Sequence, residues 1–238
     1  LGDKIGIIVL GDEDGGMERF AVIIPAAGSS TRFGAGRNKL LEPLAGEPVL
    51  ARTIRAFERP DVAVIFVATS ITNFALHENV VLCPGGASRA ESVRNALLAV
   101  PTDIEWVAVH DAARPLVSRD LIDSTFAAAI QYGAAVPALP VTLTVKQADG
   151  PLPAKVQRTL PRHALWAMQT PQAMRRSELV EAFARCPMKL DQVTDDVQLL
   201  ELMGRDVWLV PGEERNLKIT TWQDMVIAEA LFRRADQA

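Results

Sequence analysis

Ala21-Val22-Ile23-Ile24-Pro25-Ala26-Ala27-Gly28-Ser29-Ser30-Thr31-Arg32-Phe33-Gly34-Ala35-Gly36-Arg37-Asn38-Lys39 is the stretch whose reading decides the fold. Ala21 to Ile24 is apolar without alternation, which marks a strand buried on both faces, as in a parallel sheet covered by helices. The chain then turns to small residues. In open α/β sheets ligands bind beyond the carboxyl ends of the strands, and small residues at 26 to 30 let the backbone come close enough for its N–H groups to face phosphate oxygens. Arg32 and Lys39 add fixed positive charge. The segment is not a Walker loop, because no Gly-Lys-Ser/Thr follows at the right spacing. Nor is it a dinucleotide fingerprint, because Gly34-x-Gly36-x-x-Lys39 ends in lysine and follows no strand directly. A solvated Gly/Ser loop with two cations is the plainer alternative.

Downstream, apolar runs alternate with helix-period segments, the pattern of a sheet wrapped by helices. A helix over 48–57 carries Leu50, Ile54 and Phe57 on one face, and the strand Val62 to Val67 follows. The strand Val80 to Leu82 leads through Gly85-Gly86 into a helix opened by the capping box Ser88-x-x-Glu91. Next come the strand Trp106 to Val109, a helix over 119–131 and the strand Ala134 to Val136. From Pro140 the period changes. Val141 to Lys146 alternates, a turn at Asp149-Gly150-Pro151 follows, and a second alternating stretch runs to Leu160. This predicts a hairpin arm over 140–162, and a two-stranded arm without a covering helix needs a partner, here a second chain. Helices over 174–186 and 194–203, the strand Val207 to Val210 and a helix opened by Thr221-x-x-Asp224, with Met225, Ala228 and Phe232 on its core face, complete the pattern. Residues 17–238 read as one domain. Residues 1–16 read as an extension or tag remnant with a natural start at Met17; the alternative makes Ile5 to Leu10 an added edge strand.

Composition narrows the function. The 238 residues carry 25 Lys plus Arg and 29 Asp plus Glu, a formal net charge of −4, so no general positive field attracts nucleic acid and any anion must be held by a few placed residues. No apolar run approaches the ~18 residues of a spanning helix. Cys83 and Cys186 read as two buried thiols of a reducing compartment, so the expected location is the cytoplasm. Three scattered histidines, His77, His110 and His163, argue against a His-based metal site.

Other segments carry candidate chemistry. Val109-His110-Asp111-Ala112-Ala113-Arg114-Pro115 places a carboxylate and a guanidinium beyond a strand end, where they could bind hydroxyls, a metal ion and an anion; the simpler reading has Asp111 and Arg114 pair across a turn. His110 reads as packed. Gly85-Gly86 before the Ser88 cap, with Ser92, could read a polar ring through backbone groups. Arg162 and Lys218 lie at element ends, within reach of a pocket. Thr194 and Asp195 read as a helix N-cap and first turn, and Trp166 as core.

Pro-Ala-Ala-Gly with Arg32 and Lys39, Gly-Gly with Arg89 and Ser92, His-Asp-Ala-Ala-Arg-Pro, Gln169-Thr-Pro-Gln172, Thr194-Asp-Asp and Asn216-x-Lys-Ile-Thr220 occur in an order that resembles the 2-C-methyl-D-erythritol 4-phosphate cytidylyltransferase family, from Ala21 to about Leu231. The resemblance implies a Rossmann-like three-layer α/β nucleotidyltransferase fold with a mostly parallel sheet and a protruding hairpin arm. It implies transfer of CMP from CTP to a polyol phosphate with release of pyrophosphate, with Mg2+ held mainly by the CTP phosphates. By position it implies Arg32, Lys39, Arg162 and Lys218 as catalytic cations and Pro25, Ala26, Ala27, Gly28, Gly86, Ala87, Ser92, Asp111 and Ala112 as the nucleotide pocket. Asp111, Arg114, Thr144, Arg162, Thr194 and Lys218 would surround the acceptor. The family's arm embraces a second subunit, so a homodimer is implied, with Thr144 and Arg162 acting in the neighbour's site. The chain departs from the family pattern in two places: Asn38 replaces the usual Pro before Lys39 and Leu40-Leu41 the polar or aromatic pair after it, and Leu143 replaces an acidic residue before Thr144. A ribitol 5-phosphate cytidylyltransferase and a nucleotide-binding module without turnover are the alternatives.

Overall fold

The first strand, β1 (Phe20–Pro25), runs through the middle of the central sheet between two parallel neighbours. The computed structural model describes residues 18–28, 30, 33, 37–71 and 77–235. Residues 1–16, with the alternative strand at 5–10, and Arg32 lie outside the described residues. After β1 come the paired short strands β2 (Pro43–Leu44) and β3 (Glu47–Pro48), then α1 (Val49–Arg55) and β4 (Val62–Ala68). The chain continues through β5 (Val80–Cys83), α2 (Arg89–Ala99), β6 (Trp106–Val109), α3 (Arg119–Tyr132) and β7 (Ala134–Pro140). The arm pairs β8 (Lys146–Ala148) with β9 (Val156–Thr159), and β10 (Trp166–Met168), β11 (Gln172–Arg175), α4 (Arg176–Arg185), α5 (Asp196–Leu202), β12 (Trp208–Pro211) and α6 (Trp222–Ala235) follow.

The large sheet has the order β10-β7-β11-β6-β1-β4-β5, with β12 paired to β7. β1 is parallel to β4 and β6, β4 to β5, and β12 to β7, whereas β10 and β11 run antiparallel to their partners. Strand alternation sends side chains to two cores, and these make the three layers. Phe20, Val22 and Ile24 pack with Leu50, Ile54 and Phe57 of the α1 region and with Phe126 and Met225 of α3 and α6. Ala21 and Ile23 face the other way, against Val93 and Leu97 of α2, Leu179 of α4 and Leu200 of α5. Both faces of β1 are covered, as its unbroken apolar run requires.

The structure corrects the sequence reading in four places. The helix expected from residue 174 starts at Arg176, and the residues before it form β11, with Ala173 and Met174 buried on opposite faces. Four residues without β-branching do not announce a strand, and only the gap between β6 and β7 makes them one. Trp166 does not fill core; it lies on β10, at the outer end of the pairing order, and is 46% exposed. Of the run Val141 to Lys146, only Lys146 is in regular pairing, although Val141 donates to the Leu165 carbonyl at 3.2 Å and Leu160 to that of Val145 at 3.0 Å. The thiols of Cys83 and Cys186 are free and half-buried rather than buried; burial raises the Cys83 pKa.

Candidate active site

The carboxyl ends of β1, β4, β5 and β6 lie along one rim of the sheet, since these strands are mutually parallel. A cleft of about 500 Å³ opens there, lined by Pro25 to Gly28, by Gly86 to Arg89 with Ser92, and by Asp111 to Ala113. Lys39, Lys218 and Thr220 complete the wall. Its shape depends on glycines. A Cβ at Gly85 would lie 2.2 Å from the Cβ of Ala27, and one at Gly86 would lie 2.3 Å from the Cβ of Glu91 and 2.9 Å from the backbone nitrogen of Ser92. Without the first atom the two loops can approach each other, and without the second the Gly85-Gly86 turn can fold onto the start of α2. Ser88 caps α2 by accepting from Glu91 N–H at 3.1 Å, and the Glu91 carboxylate reaches back to Ala87 N–H at 2.7 Å, one residue beyond the usual capping-box partner. The Ser92 hydroxyl donates to the Ser88 carbonyl and accepts from Gly86 N–H, both at 2.9 Å. The backbone groups that wall the cleft are thus held before any ligand arrives.

Charge gathers on Asp111, which is 7% exposed. Oδ1 accepts from Arg89 Nε at 3.1 Å, while Oδ2 faces Arg114 Nε at 3.3 Å and Lys218 Nζ at 3.0 Å. Burial alone would raise the carboxyl pKa, but Arg89, Lys218 and Arg114 more than offset it and hold the group below the usual carboxylate range. Arg89 is shared, since its Nη1 donates to Asp196 Oδ2 at 2.8 Å. Asp196 is fully buried, and burial raises its pKa against the pull of Arg89. Lys39 Nζ donates to the carbonyl of Ile219, the neighbour of Lys218, at 2.8 Å. Asn38, at the position that departs from the family pattern, accepts from Leu40 N–H at 3.1 Å and from the Ser30 hydroxyl at 3.4 Å, which ties the two limbs of the loop together around Lys39. Phe33 packs edge-on against Trp222 and Arg37 lies over the same ring, so the loop also rests on the start of α6.

A buried polar network sets the segment that carries Lys218. Gln169 Nε2 donates to the Glu213 carbonyl at 2.8 Å, and Gln169 Oε1 accepts from Glu213 N–H at 3.1 Å. Asn216 Nδ2 donates to the Thr170 carbonyl at 2.9 Å, and Arg114 Nη1 donates to the Asn216 carbonyl at 2.6 Å. Gln172 Oε1 caps α5 from outside, accepting from the N–H groups of Asp196 and Val197 at 2.9 and 3.1 Å. His110 belongs to this network. Its Nε2 donates to the Arg114 carbonyl at 3.1 Å; its Nδ1 accepts from the Thr170 hydroxyl at 3.1 Å, which itself accepts from Asp111 N–H at 3.0 Å. That chain of donors fits the neutral imidazole, and burial lowers the His110 pKa from 6.5 to about 4.

Of the residues singled out in the sequence, Pro25, Ala26, Ala27, Gly28, Lys39, Gly86, Ala87, Ser92, Asp111, Ala112 and Lys218 meet at the cleft. A family model described as 2-C-methyl-D-erythritol 4-phosphate cytidylyltransferase matches residues 20–234. The chain belongs to that family. Among members of the family, the protein of Frankia casuarinae is 40% identical over 92% of this chain and 84% of its own length, and that of Pelotomaculum thermopropionicum 39% identical over 91% and 95%. A bifunctional IspD/IspF enzyme of Desulfotalea psychrophila is 41% identical over 91% of this chain, which spans 58% of that longer enzyme. The crystal structure of the Thermus thermophilus cytidylyltransferase superposes with a TM-score of 0.75 at 38% identity, covering 90% of this chain and 99% of that one. The Francisella tularensis cytidylyltransferase gives 0.78 at 35%, covering 89% and 99%. The sheet wrapped by helices is the fold of these cytidylyltransferases.

Four of the singled-out residues do not line the cleft of a single chain. Arg114 is 9% exposed behind Asp111. Thr144 and Arg162 are exposed on the arm, where Arg162 Nη1 donates to the Thr142 carbonyl at 2.5 Å. Thr194 is exposed ahead of α5; the helix is capped by Asp195, which accepts from Gln198 N–H at 3.0 Å, so the cap lies one residue later than expected. The sequence reading gave no role to Arg89 or Asp196. A signal was present, because an arginine opening a helix opposes the helix dipole unless carboxylates are near.

Proposed function

We propose that this chain transfers CMP from CTP to 2-C-methyl-D-erythritol 4-phosphate, releasing pyrophosphate and forming 4-diphosphocytidyl-2-C-methyl-D-erythritol, within non-mevalonate isoprenoid precursor synthesis. The observation that carries the reading is the cleft of about 500 Å³ at the strand ends, lined by residues 26–28 and 86–87 together with Lys39 and Lys218. Pro25 and Ala112 close the nucleotide side, and the Ser92 hydroxyl steadies it. The acceptor's phosphate oxygen attacks the α-phosphorus as the bond to the bridging oxygen breaks, and the electron pair leaves on pyrophosphate. No proton need move, so positioning and charge stabilisation carry the rate. Arg32 and Lys39 would stabilise the charge on the α-phosphate and on pyrophosphate, and removing either should slow turnover on the order of 100-fold. Lys218 and Arg162 would hold the acceptor's phosphate for in-line attack, with Arg114, Thr144 and Thr194 around its polyol and Asp111 toward polyol and ribose hydroxyls.

The carboxylate of the cleft already faces three cations. Mg2+ would therefore be held by the CTP phosphates, where it neutralises triphosphate charge. The partner of the arm would be a second copy of the chain. Leu143, Val156, Trp166 and Met168 on and beside the arm are exposed, and β8 and β9 bring no side chain to either core. Dimerisation would cover these side chains and carry Thr144 and Arg162 to the neighbouring cleft. Residues 17–238, with the arm at 140–162, would form a single domain working in the cytoplasm without nucleic acid or membrane; among the described residues no helix is long and apolar enough to cross a membrane.

The deciding experiment measures pyrophosphate release by the purified protein with Mg2+ and CTP, offering methylerythritol phosphate, ribitol 5-phosphate or no acceptor. Release with methylerythritol phosphate alone is expected. Release with ribitol 5-phosphate alone would move the enzyme to another pathway, and release with neither would leave a nucleotide-binding module.

A further inference from the structure

The Asp111 carboxylate is unevenly occupied. Oδ2 has two cations against it, Arg114 at 3.3 Å and Lys218 at 3.0 Å, whereas among the described residues Oδ1 takes one donor, Arg89 Nε, at 3.1 Å. A carboxylate oxygen can accept two hydrogen bonds, so Oδ1 keeps one acceptor position at the wall of the cleft. Arginine beside a carboxylate ordinarily forks onto both oxygens or doubles its donors on one. Arg89 does not: with Nε on Asp111 and Nη1 2.8 Å from Asp196, its guanidinium is fixed between the two carboxylates. Asp196 is fully buried, its backbone is pinned by Gln172, and its own helix is capped by Asp195, so its side chain is not needed to start α5.

We propose that Asp196 is a positioning residue: by holding one arm of Arg89, it keeps the guanidinium from closing on Asp111 and leaves an Oδ1 acceptor position for a hydroxyl of the bound nucleotide. The inference rests on the reading of Asp111 as a hydroxyl-binding group. It makes selection of a ribonucleotide depend on a residue that does not line the cleft. Without the Asp196 charge, Arg89 has one carboxylate left to satisfy, and its guanidinium is released to turn until Nε and Nη2 both reach it, consuming the acceptor position. The cleft would still bind base and phosphates, but it would lose its means of distinguishing a hydroxyl from a hydrogen.

Calorimetric titration with CTP and with dCTP in Mg2+ tests this without requiring turnover. Wild type is expected to favour CTP by about tenfold, the size of one hydrogen bond to a charged group, and Asp111→Ala to lose that preference. Asp196→Asn, close in shape, should lose it too while binding dCTP as wild type does. Asp196→Ser, smaller and equally uncharged, should behave likewise and decides the matter if Asp196→Asn does not fold. If Asp196→Asn or, failing that, Asp196→Ser keeps the preference while Asp111→Ala loses it, Asp196 is merely structural and the inference is overturned. A wild type without preference, or an Asp111→Ala protein that retains it, removes the assignment of Asp111 and the inference with it.

Discussion

Acidification should destabilise this protein through one buried imidazole before the buried carboxylates contribute much. His110 is fully buried and its two nitrogens are committed, Nε2–H to the Arg114 carbonyl and Nδ1 to the Thr170 hydroxyl. A second ring proton would put two donors face to face at Nδ1, and burial already lowers the pKa from 6.5 to about 4. The unfolded chain therefore binds the proton more tightly, so stability is full above pH 6.5, falls as the pH drops, and levels off near pH 4. Linkage over that window gives about 2 kcal/mol lost between pH 7 and pH 5, and about 3 kcal/mol in all. Asp111, with a depressed folded pKa, loses its contribution below the ordinary 3.8. Asp196, whose folded pKa is raised, acts in the opposite sense and is common to wild type and variant. Urea unfolding at half-unit steps from pH 7 to pH 5 should show the fall in wild type and its absence in His110→Asn, which starts less stable. Parallel curves for the two proteins would refute the reasoning. So would an NMR titration in which His110, separable from exposed His77 and His163, gains its proton with a midpoint near 6.5.

Three further outcomes are expected. Gly86→Ala forces a Cβ to within 2.3 Å of the Glu91 Cβ; overpacking of about 1–3 kcal/mol at the nucleotide wall should raise the CTP KM at least ~tenfold with a smaller change in kcat, as steady-state kinetics will show. Gln169→Ala strips the donors and acceptors that hold residues 213–216 and should cost about 3 kcal/mol in urea unfolding, with a raised acceptor KM because Lys218 lies just beyond. Mixing Arg162→Ala with Lys39→Ala chains should restore part of the lost activity if Arg162 serves the neighbour's cleft; proven heterodimers without rescue would place Arg162 in its own subunit's site.

Much of this arrangement could be read from residue pattern. The unbroken apolar runs of β1 and β4, the Gly-Gly turn and the Ser88 cap locate strands, helices and the ligand rim through local chemistry alone. β11 could not be read in this way, because Gln172 to Arg175 becomes a strand by filling an antiparallel slot between two others. Trp166 misled because its size suggests burial, while its strand lies at the end of the pairing order. The cleft motifs were legible as motifs, but their division of labour was not. Gln169, Gln172, Asn216 and His110 face inward and hold backbone, and only three-dimensional hydrogen bonding separates them from Lys39 and Lys218. Asn38 shows the converse: read as loss of a rigid proline, it restrains the lysine loop with its own carboxamide.

The bond from Lys39 to the Ile219 carbonyl joins positions 180 residues apart, and Ile219 N–H in turn binds the Ala113 carbonyl at 2.8 Å. Three distant parts of the chain are thereby closed into one ring around the cleft. Such nonlocal closures come late, after the loops between them have lost their freedom. A ribosome must therefore release residue 219 before the ring can close, and a proteolytic fragment ending before residue 216 cannot close it. During refolding, spectroscopic signals from the sheet should return before turnover does, so recovered activity dates the completion of the molecule.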